Sequence, residues 1–212
     1  MDILREVMSM DSVSWEQAKA AAEAGTLNEI LHSRDRIPVT LKNGEEIVLV
    51  VTYDQTGKAY FVFEDCVAEP HYMNESYTNK GGWAASDMRR HLREDIFPLL
   101  PDDLQAVIAS TRIVQIVGGE RVECEDKLFL LSKTQVFGKG RWSANEPEDS
   151  HLDIFKRERD RVKERADYGT EWWWLRSPEA SGGSAFAYVN YVGNSGSHNA
   201  NGANGVAPGF CL

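Results

Sequence analysis

The sequence predicts an α+β fold from three observations: a capped helix near its start, a meander of strand-like stretches joined by strong turn signals, and a concentrated aromatic strand late in the chain. Ser14-Trp15-Glu16-Gln17 opens the helix as a capping box, with the serine oxygen accepting from an early backbone N–H and the glutamine reaching back. Alanines at 18, 20, 21, 22 and 24 favour the helix and Gly25 closes it. Ile37 to Lys42 alternates apolar and polar residues, Asn43-Gly44 is a hairpin turn, and Glu46 to Tyr53 returns. A second turn at Gln55-Thr56-Gly57-Lys58 leads into Ala59 to Cys66, which completes a three-stranded antiparallel meander.

Residues 67 to 83 read as a loop rich in Asn, Tyr and Gly. Ser86 or Asp87 caps a helix through about Glu94, with Met88, Leu92 and Ile96 at four-residue spacing. Pro98 and Pro101 break that pattern, and Asp102 and Asp103 open a short helix through Ile108. Arg112 to Val117 and Lys127 to Leu131 are expected strands. The charged stretch Glu146 to Asp167 is expected as a solvated helix with Leu152, Phe155, Val162 and Ala166 as its apolar stripe. Trp172-Trp173-Trp174-Leu175-Arg176-Ser177-Pro178 is the aromatic strand.

Composition excludes several classes of function. With 42% hydrophobic residues the chain can build a core, and its longest apolar run, Ile47 to Val51, is far short of the ~20 residues that span a bilayer. Net charge of -10 argues against nucleic acid as a partner, because phosphate binding needs a positive surface. Met1 to Glu6 shows no basic leader, so the expectation is a protein made in the cytoplasm, without membrane insertion, and either retained there, carried on a virion or displayed at a surface. Cys66, Cys124 and Cys211 are widely spaced and odd in number, which suits three reduced thiols. No phosphate loop, zinc-protease motif, nucleophile elbow or dinucleotide fingerprint is present, and the five histidines never fall at three- or four-residue spacing on a helix. The expectation is therefore no catalytic residue, no metal and no cofactor.

After Glu179 no Asp, Glu, Lys or Arg occurs in the remaining 33 residues. Tyrosine offers large, rigid, amphipathic contact area, and Ser, Gly and Asn offer adaptable hydrogen bonding, the mixture found in antibody-type binding loops. Ser181, Ser184, Tyr188, Asn190, Tyr191, Asn194, Ser195, Ser197, His198, Asn199 and Asn201 supply it here. Tyr188, Tyr191 and His198 are expected to be exposed, while Phe186, Val189 and Val192 turn inward. An ordinary surface loop of Gly and Asn fits the same composition.

Four phrases in succession add a resemblance: Gly81 to Arg89, Asp126 to Ser132, Trp173 to Pro178, and Gly205 to Leu212. Together they resemble an uncharacterised family from gut Firmicutes and their phages associated with a C-type-lectin-like fold. The resemblance divides the chain into a helical lead over 1–34 and a ligand-binding domain over 35–212. Within that group, residues 180–204 look like the variable region of a target protein of a diversity-generating retroelement, which mutates adenines in asparagine codons. Changing the first two bases of AAC or AAT never yields Met, Trp, Gln, Lys or Glu. Those types make up 44 of the 212 residues, so about five are expected in 25 positions, and residues 180–204 contain none. The resemblance implies a scaffold formed by Trp172, Trp173, Trp174, Arg176, Phe186, Val189 and Phe210. Over it would lie a surface that binds a protein or glycan ligand, such as a cell-surface receptor, with avidity gained by any oligomer.

Two features of related folds are not carried over. The calcium loops of animal lectins are matched only by Glu146-Pro147-Glu148, and Trp174 is followed by Leu175-Arg176 instead of a second ligand pair. The paired active-site cysteines of formylglycine-generating enzymes have no obvious counterpart. A sulfatase-modifying enzyme and an interaction domain with one fixed partner remain the alternatives to a diversified binding protein.

Overall fold

The capping box at Ser14 forms as its residues require in the computed structural model, which describes residues 13–180 and 182–212. The Gln17 N–H donates to Ser14 Oγ (3.2 Å) and the Ser14 N–H to Gln17 Oε1 (2.8 Å). Gly25, at φ 72°, ends α1 (Trp15–Ala24) in the left-handed conformation that other residues resist. Trp15 and Ala18 are buried, and Trp15 meets Phe61 and Phe210 edge-on at ring separations of 5.7 and 6.5 Å. The described part of the 1–34 lead thus shares the core of the remaining chain.

Strands β1 (Arg36–Thr40), β2 (Glu46–Tyr53) and β3 (Ala59–Phe63) form the antiparallel meander that the turns dictate. Ile37, Val39, Ile47, Leu49 and Val51 are buried at the period of two that a one-faced strand needs. The stretch read as loop contains a short strand, β4 (His71–Tyr72). Ser86 Oγ accepts from the Arg89 N–H (3.2 Å) and caps α2 (Asp87–His91), which runs on as a wider π-helical turn over Leu92–Ile96. Met88, Leu92 and Ile96 are buried together. After α3 (Asp102–Val107), β5 (Thr111–Val117) pairs with β6 (Glu120–Asp126) through Gly118-Gly119, both at positive φ. β7 (Phe129–Leu130) and α4 (Lys133–Phe137), with its own Ser132–Gln135 capping box, follow.

The helix expected over Glu146 to Asp167 does not form. Its main chain is tied to distant elements instead: the Leu152 N–H donates to Gln135 O (2.9 Å) and the Asp153 N–H to Tyr53 O (3.0 Å). Asp153 Oδ1 also accepts from the hydroxyls of Ser33 (2.7 Å) and Thr52 (2.8 Å). Leu152 and Phe155 are buried, but Val162 is only half-buried and Ala166 is exposed where β8 (Lys163–Arg165) turns into β9 (Gly169–Glu171). Long-range hydrogen bonds and core contacts here override helical periodicity.

β10 (Trp173–Pro178), β11 (Ala185–Val189) and β12 (Ser195–Asn199) form a three-stranded antiparallel sheet. β13 (Ala203–Asn204) pairs with β4, and β14 (Pro208–Phe210) enters between β3 and β7. The larger sheet then has the order β1-β2-β3-β14-β7, and Phe210 stacks on Phe61 at 5.3 Å. Helices plus several antiparallel sheets make this an α+β protein.

Candidate ligand-binding surface

Three of the four phrases singled out in the sequence, Gly81 to Arg89, Asp126 to Ser132 and Trp173 to Pro178, meet in one polar framework. Arg176, only 2% exposed, donates to Leu130 O (2.7 Å), Gln135 Oε1 (2.7 Å) and Asp149 Oδ2 (2.5 Å). Its carbonyl accepts from Gln115 Nε2 (3.1 Å), and Gln115 Oε1 accepts the Trp83 N–H (2.9 Å). The Trp83 indole reaches Asp126 (2.8 Å), which also pairs with Arg89 (2.7 Å). Glu146, buried, accepts from the Thr134 N–H (2.8 Å) and the Ser177 hydroxyl. Burial, then the nearby Asp149, pushes its carboxyl above the usual range. Opposite this framework, the Trp173 indole donates to Arg161 O (2.9 Å) and the Trp174 indole to His71 O (2.8 Å), which fixes both buried rings.

The hairpin stands on those rings. The Asn190 side chain builds its turn: Oδ1 accepts from the N–H groups of Val192 (3.0 Å) and Asn194 (2.9 Å), and Gly193 supplies φ 83°. Gly193 lies so close to Glu158 O that an added Cβ would fall 2.0 Å from it, and Arg161 Nε donates to Gly193 O (2.8 Å). In front of the hairpin, Trp172 stacks on Tyr188 (4.8 Å) and Tyr191 (6.2 Å). His198 stacks on Trp174 (5.6 Å) and meets Trp172 and Tyr188 edge-on, both at 6.3 Å. Gly196 and Gly202 make this packing possible, because a Cβ at either would strike the ring of Tyr188 or His198.

Each residue singled out in the sequence except Ser181 has a definite place. Tyr191 is 56% exposed, and Asn194, Ser195, Ser197, Asn199 and Asn201 are exposed beside it. Ser184 is half-buried, and its carbonyl accepts from the Ala200 N–H (2.7 Å). Tyr188 and His198 are half-buried instead of exposed, a correction caused by their stacking on Trp172 and Trp174. Val192 does not turn inward; it sits in the turn at 49% exposure. Asn190 is committed to the turn, and Ser181 lies outside the described residues. Trp173, Trp174, Arg176, Phe186, Val189 and Phe210 are buried, while Trp172 is half-exposed and forms the centre of the aromatic cluster.

Thiol chemistry is poorly served. Cys66 and Cys211 are buried and Cys124 is half-buried, all three unpaired. Burial pushes the thiols of Cys66 and Cys124 up to about 12 and that of Cys211 upward, so each stays protonated and weakly nucleophilic. A cleft of about 810 Å³ opens between the β5–β6 turn and Pro178, Glu179, Ala180, Gly182 and Gly183, and neither a cysteine nor a residue of the aromatic cluster is among the described residues that line it. Among the described residues no group of three or more His, Cys, Asp or Glu could hold a metal ion, and no helix is long and apolar enough to cross a membrane.

Fold and surface together define an α+β domain that presents an uncharged aromatic hairpin from a rigid polar framework. The chain belongs to the DUF6273 family, a domain of unknown function whose model matches residues 57–212. No curated protein and no solved structure matches it. α1, β1 and β2 precede the matched segment, yet they complete its core and its larger sheet.

Proposed function

We propose that this chain is a non-catalytic binding protein that engages a protein or glycan ligand through the β11–β12 hairpin. In this reading the scaffold is C-type-lectin-like and residues 180–204 are the variable region of a retroelement target. A phage or prophage receptor-binding protein is its most concrete form. One observation carries the binding reading: Ser195, Ser197 and Asn199 present side chains with no hydrogen-bond partner among the described residues, on the hairpin that also bears exposed Tyr191 and the Trp172–Tyr188 stack. Such groups gain partners only from solvent or a ligand. The protonated, largely buried thiols favour this reading over a sulfatase-modifying enzyme.

Two tests separate the parts of the proposal. A glycan array and a library of displayed linear peptides, probed with the wild-type chain and with Tyr191→Ala/Ser197→Ala/Asn199→Ala, test binding. Selective capture that the variant loses at an unchanged melting temperature is expected; equal capture by both refutes the assignment. Diversification predicts a nearby reverse-transcriptase gene and a near-copy of the gene's 3′ end that differs only at adenines. Their absence removes diversification and leaves binding in place.

A further inference from the structure

A strand at a sheet edge displays unpaired backbone N–H and C=O groups, and folded proteins blunt such edges with charge, proline, bulges or brevity. Several other edges described here follow that rule. β1 carries Arg36 and Pro38, β6 carries Glu120, Arg121, Glu123 and Glu125, β8 carries Lys163 and Arg165, and β7 is two residues long. The far edge of the hairpin's own sheet is covered, because in β10 the Trp174 N–H donates to Gly205 O (3.0 Å) and the Arg176 N–H to Leu131 O (2.9 Å). β12 differs from all of these. It reads Ser-Gly-Ser-His-Asn, with no lysine, arginine, carboxylate or proline, and its register with β11 is unbroken over five residues.

Which of its groups are free follows from the ladder. The Asn190 N–H bonds to Asn194 O (2.8 Å) and the Ala200 N–H to Ser184 O (2.7 Å), and bonded pairs alternate in an antiparallel ladder. Residues 194, 196, 198 and 200 therefore turn their main chain toward β11, and Ser195, Ser197 and Asn199 turn theirs outward. Of these outward N–H and C=O groups, only the Asn199 carbonyl has a partner among the described residues, the Gly202 N–H at 2.9 Å.

We propose that β12 receives an extended segment of a partner polypeptide, which adds to the sheet as a further strand. This deepens the binding reading above and rests on it. The open donors and acceptors recur at every second residue, a spacing that another main chain matches and a sugar does not. Partner side chains on one face would meet His198 and Tyr188, and the alternate set would lie beside the exposed side chains of Ser195, Ser197 and Asn199. A second copy of this chain is the weaker occupant, since each carries a net charge of -10. Because a main chain keeps its donors and acceptors whatever side chains it bears, strand addition would give every sequence variant of the hairpin a common component of affinity.

The test begins with displayed random linear peptides selected on the full chain, with a glycan array in parallel. Selected peptides are then synthesised with N-methyl groups at alternate residues, in both phases, which removes backbone donors without altering the protein. Methylation in one phase should weaken binding roughly ten-fold or more, and in the other phase by less than about two-fold. Ser197→Pro, which deletes an outward N–H, should match the sensitive phase, and Ser197→Ala, which removes the hydroxyl but keeps that N–H, should weaken binding clearly less than Ser197→Pro does. Peptides indifferent to methylation in both phases overturn strand addition. Glycan-only capture that requires Tyr191 overturns it too, while the wider binding reading survives. Self-association abolished by Ser197→Pro overturns it in favour of a second copy, and absence of any capture overturns both readings.

Discussion

Hairpins β5–β6 and β11–β12 are both antiparallel pairs joined by glycine-containing turns, and both display polar residues to solvent. On the first, Arg112 and Arg121 each pair with both Glu123 and Glu148, at 2.6–3.0 Å, and close a square of ion pairs. Hydrogen bonds from Arg112 and Arg121 hold the Glu123 carboxyl below its usual range. On the second there is no Asp, Glu, Lys or Arg, and Ser195, Ser197 and Asn199 leave side chains and most of their outward main chain without a partner among the described residues. A surface whose polar groups satisfy one another offers little to a ligand. One whose groups lack partners among the described residues is open to a ligand, and here His198 of that hairpin stacks on the buried Trp174.

The comparison can be broken first at that foundation. Trp173→Ala removes a fully buried ring and its indole bond to Arg161 O, and should cost roughly 3–5 kcal/mol in urea unfolding. A loss below about 1 kcal/mol would mean that the hairpin does not depend on the ring. Tyr188→Ala, which removes the stack on Trp172 and the cover over Gly196, should cost about 1–3 kcal/mol and weaken ligand capture as well.

Acid should act on the same foundation from below. Burial, then His91 stacked at 4.0 Å, holds the His71 imidazole below its ordinary value, although the Tyr72 carbonyl, Asp95 and Asp87 favour its charged form. Between the folded value and the unfolded one of about 6.5, the unfolded chain binds more protons, so stability rises with pH. The contribution is complete above about 6.5 and is lost as pH falls through the folded value. The melting temperature of His71→Gln should accordingly fall less than that of wild type between neutral and mildly acidic pH; equal falls would assign the acid sensitivity to other groups.

Smaller effects sharpen the contrast. Tyr191→Ala should change stability by no more than about 0.5 kcal/mol while reducing ligand capture strongly. Arg121→Ala, on the self-satisfied hairpin, should leave capture unchanged and shift the melting temperature least of all, with the shift vanishing as salt is added.

Much of the fold was legible wherever local chemistry decides. The Ser14 capping box, the Asn43-Gly44 turn and the Met88–Leu92–Ile96 face are fixed by near neighbours, and all three form. β6 was missed because Glu120, Arg121, Glu123 and Glu125 hide the inward alternation of Val122 and Cys124. The charged stretch after Glu146 imitates a helix, but Pro147 and long-range bonds to Gln135 and Tyr53 dictate its path. Within the candidate surface, the turn role of Asn190 was available from Asn190-Tyr191-Val192-Gly193-Asn194, a pattern of Asx turn plus glycine. The half-burial of Tyr188 and His198 was not, because it depends on which strand lies beside them. Nor was the Arg161 brace on Gly193, which arrives from 32 positions away.

The position of β14 has a consequence for gene expression. This strand follows the hairpin in the reading frame, yet it lies in the middle of the larger sheet, between β3 and β7, with Phe210 stacked on Phe61. A frameshift or stop codon arising anywhere in 182–204 would therefore remove the strand that joins β3 to β7. Such products cannot complete the sheet and become substrates for proteolysis, whereas in-frame changes at exposed positions leave it intact. The order of elements along the chain thus makes completion of the larger sheet depend on the reading frame being kept through the hairpin.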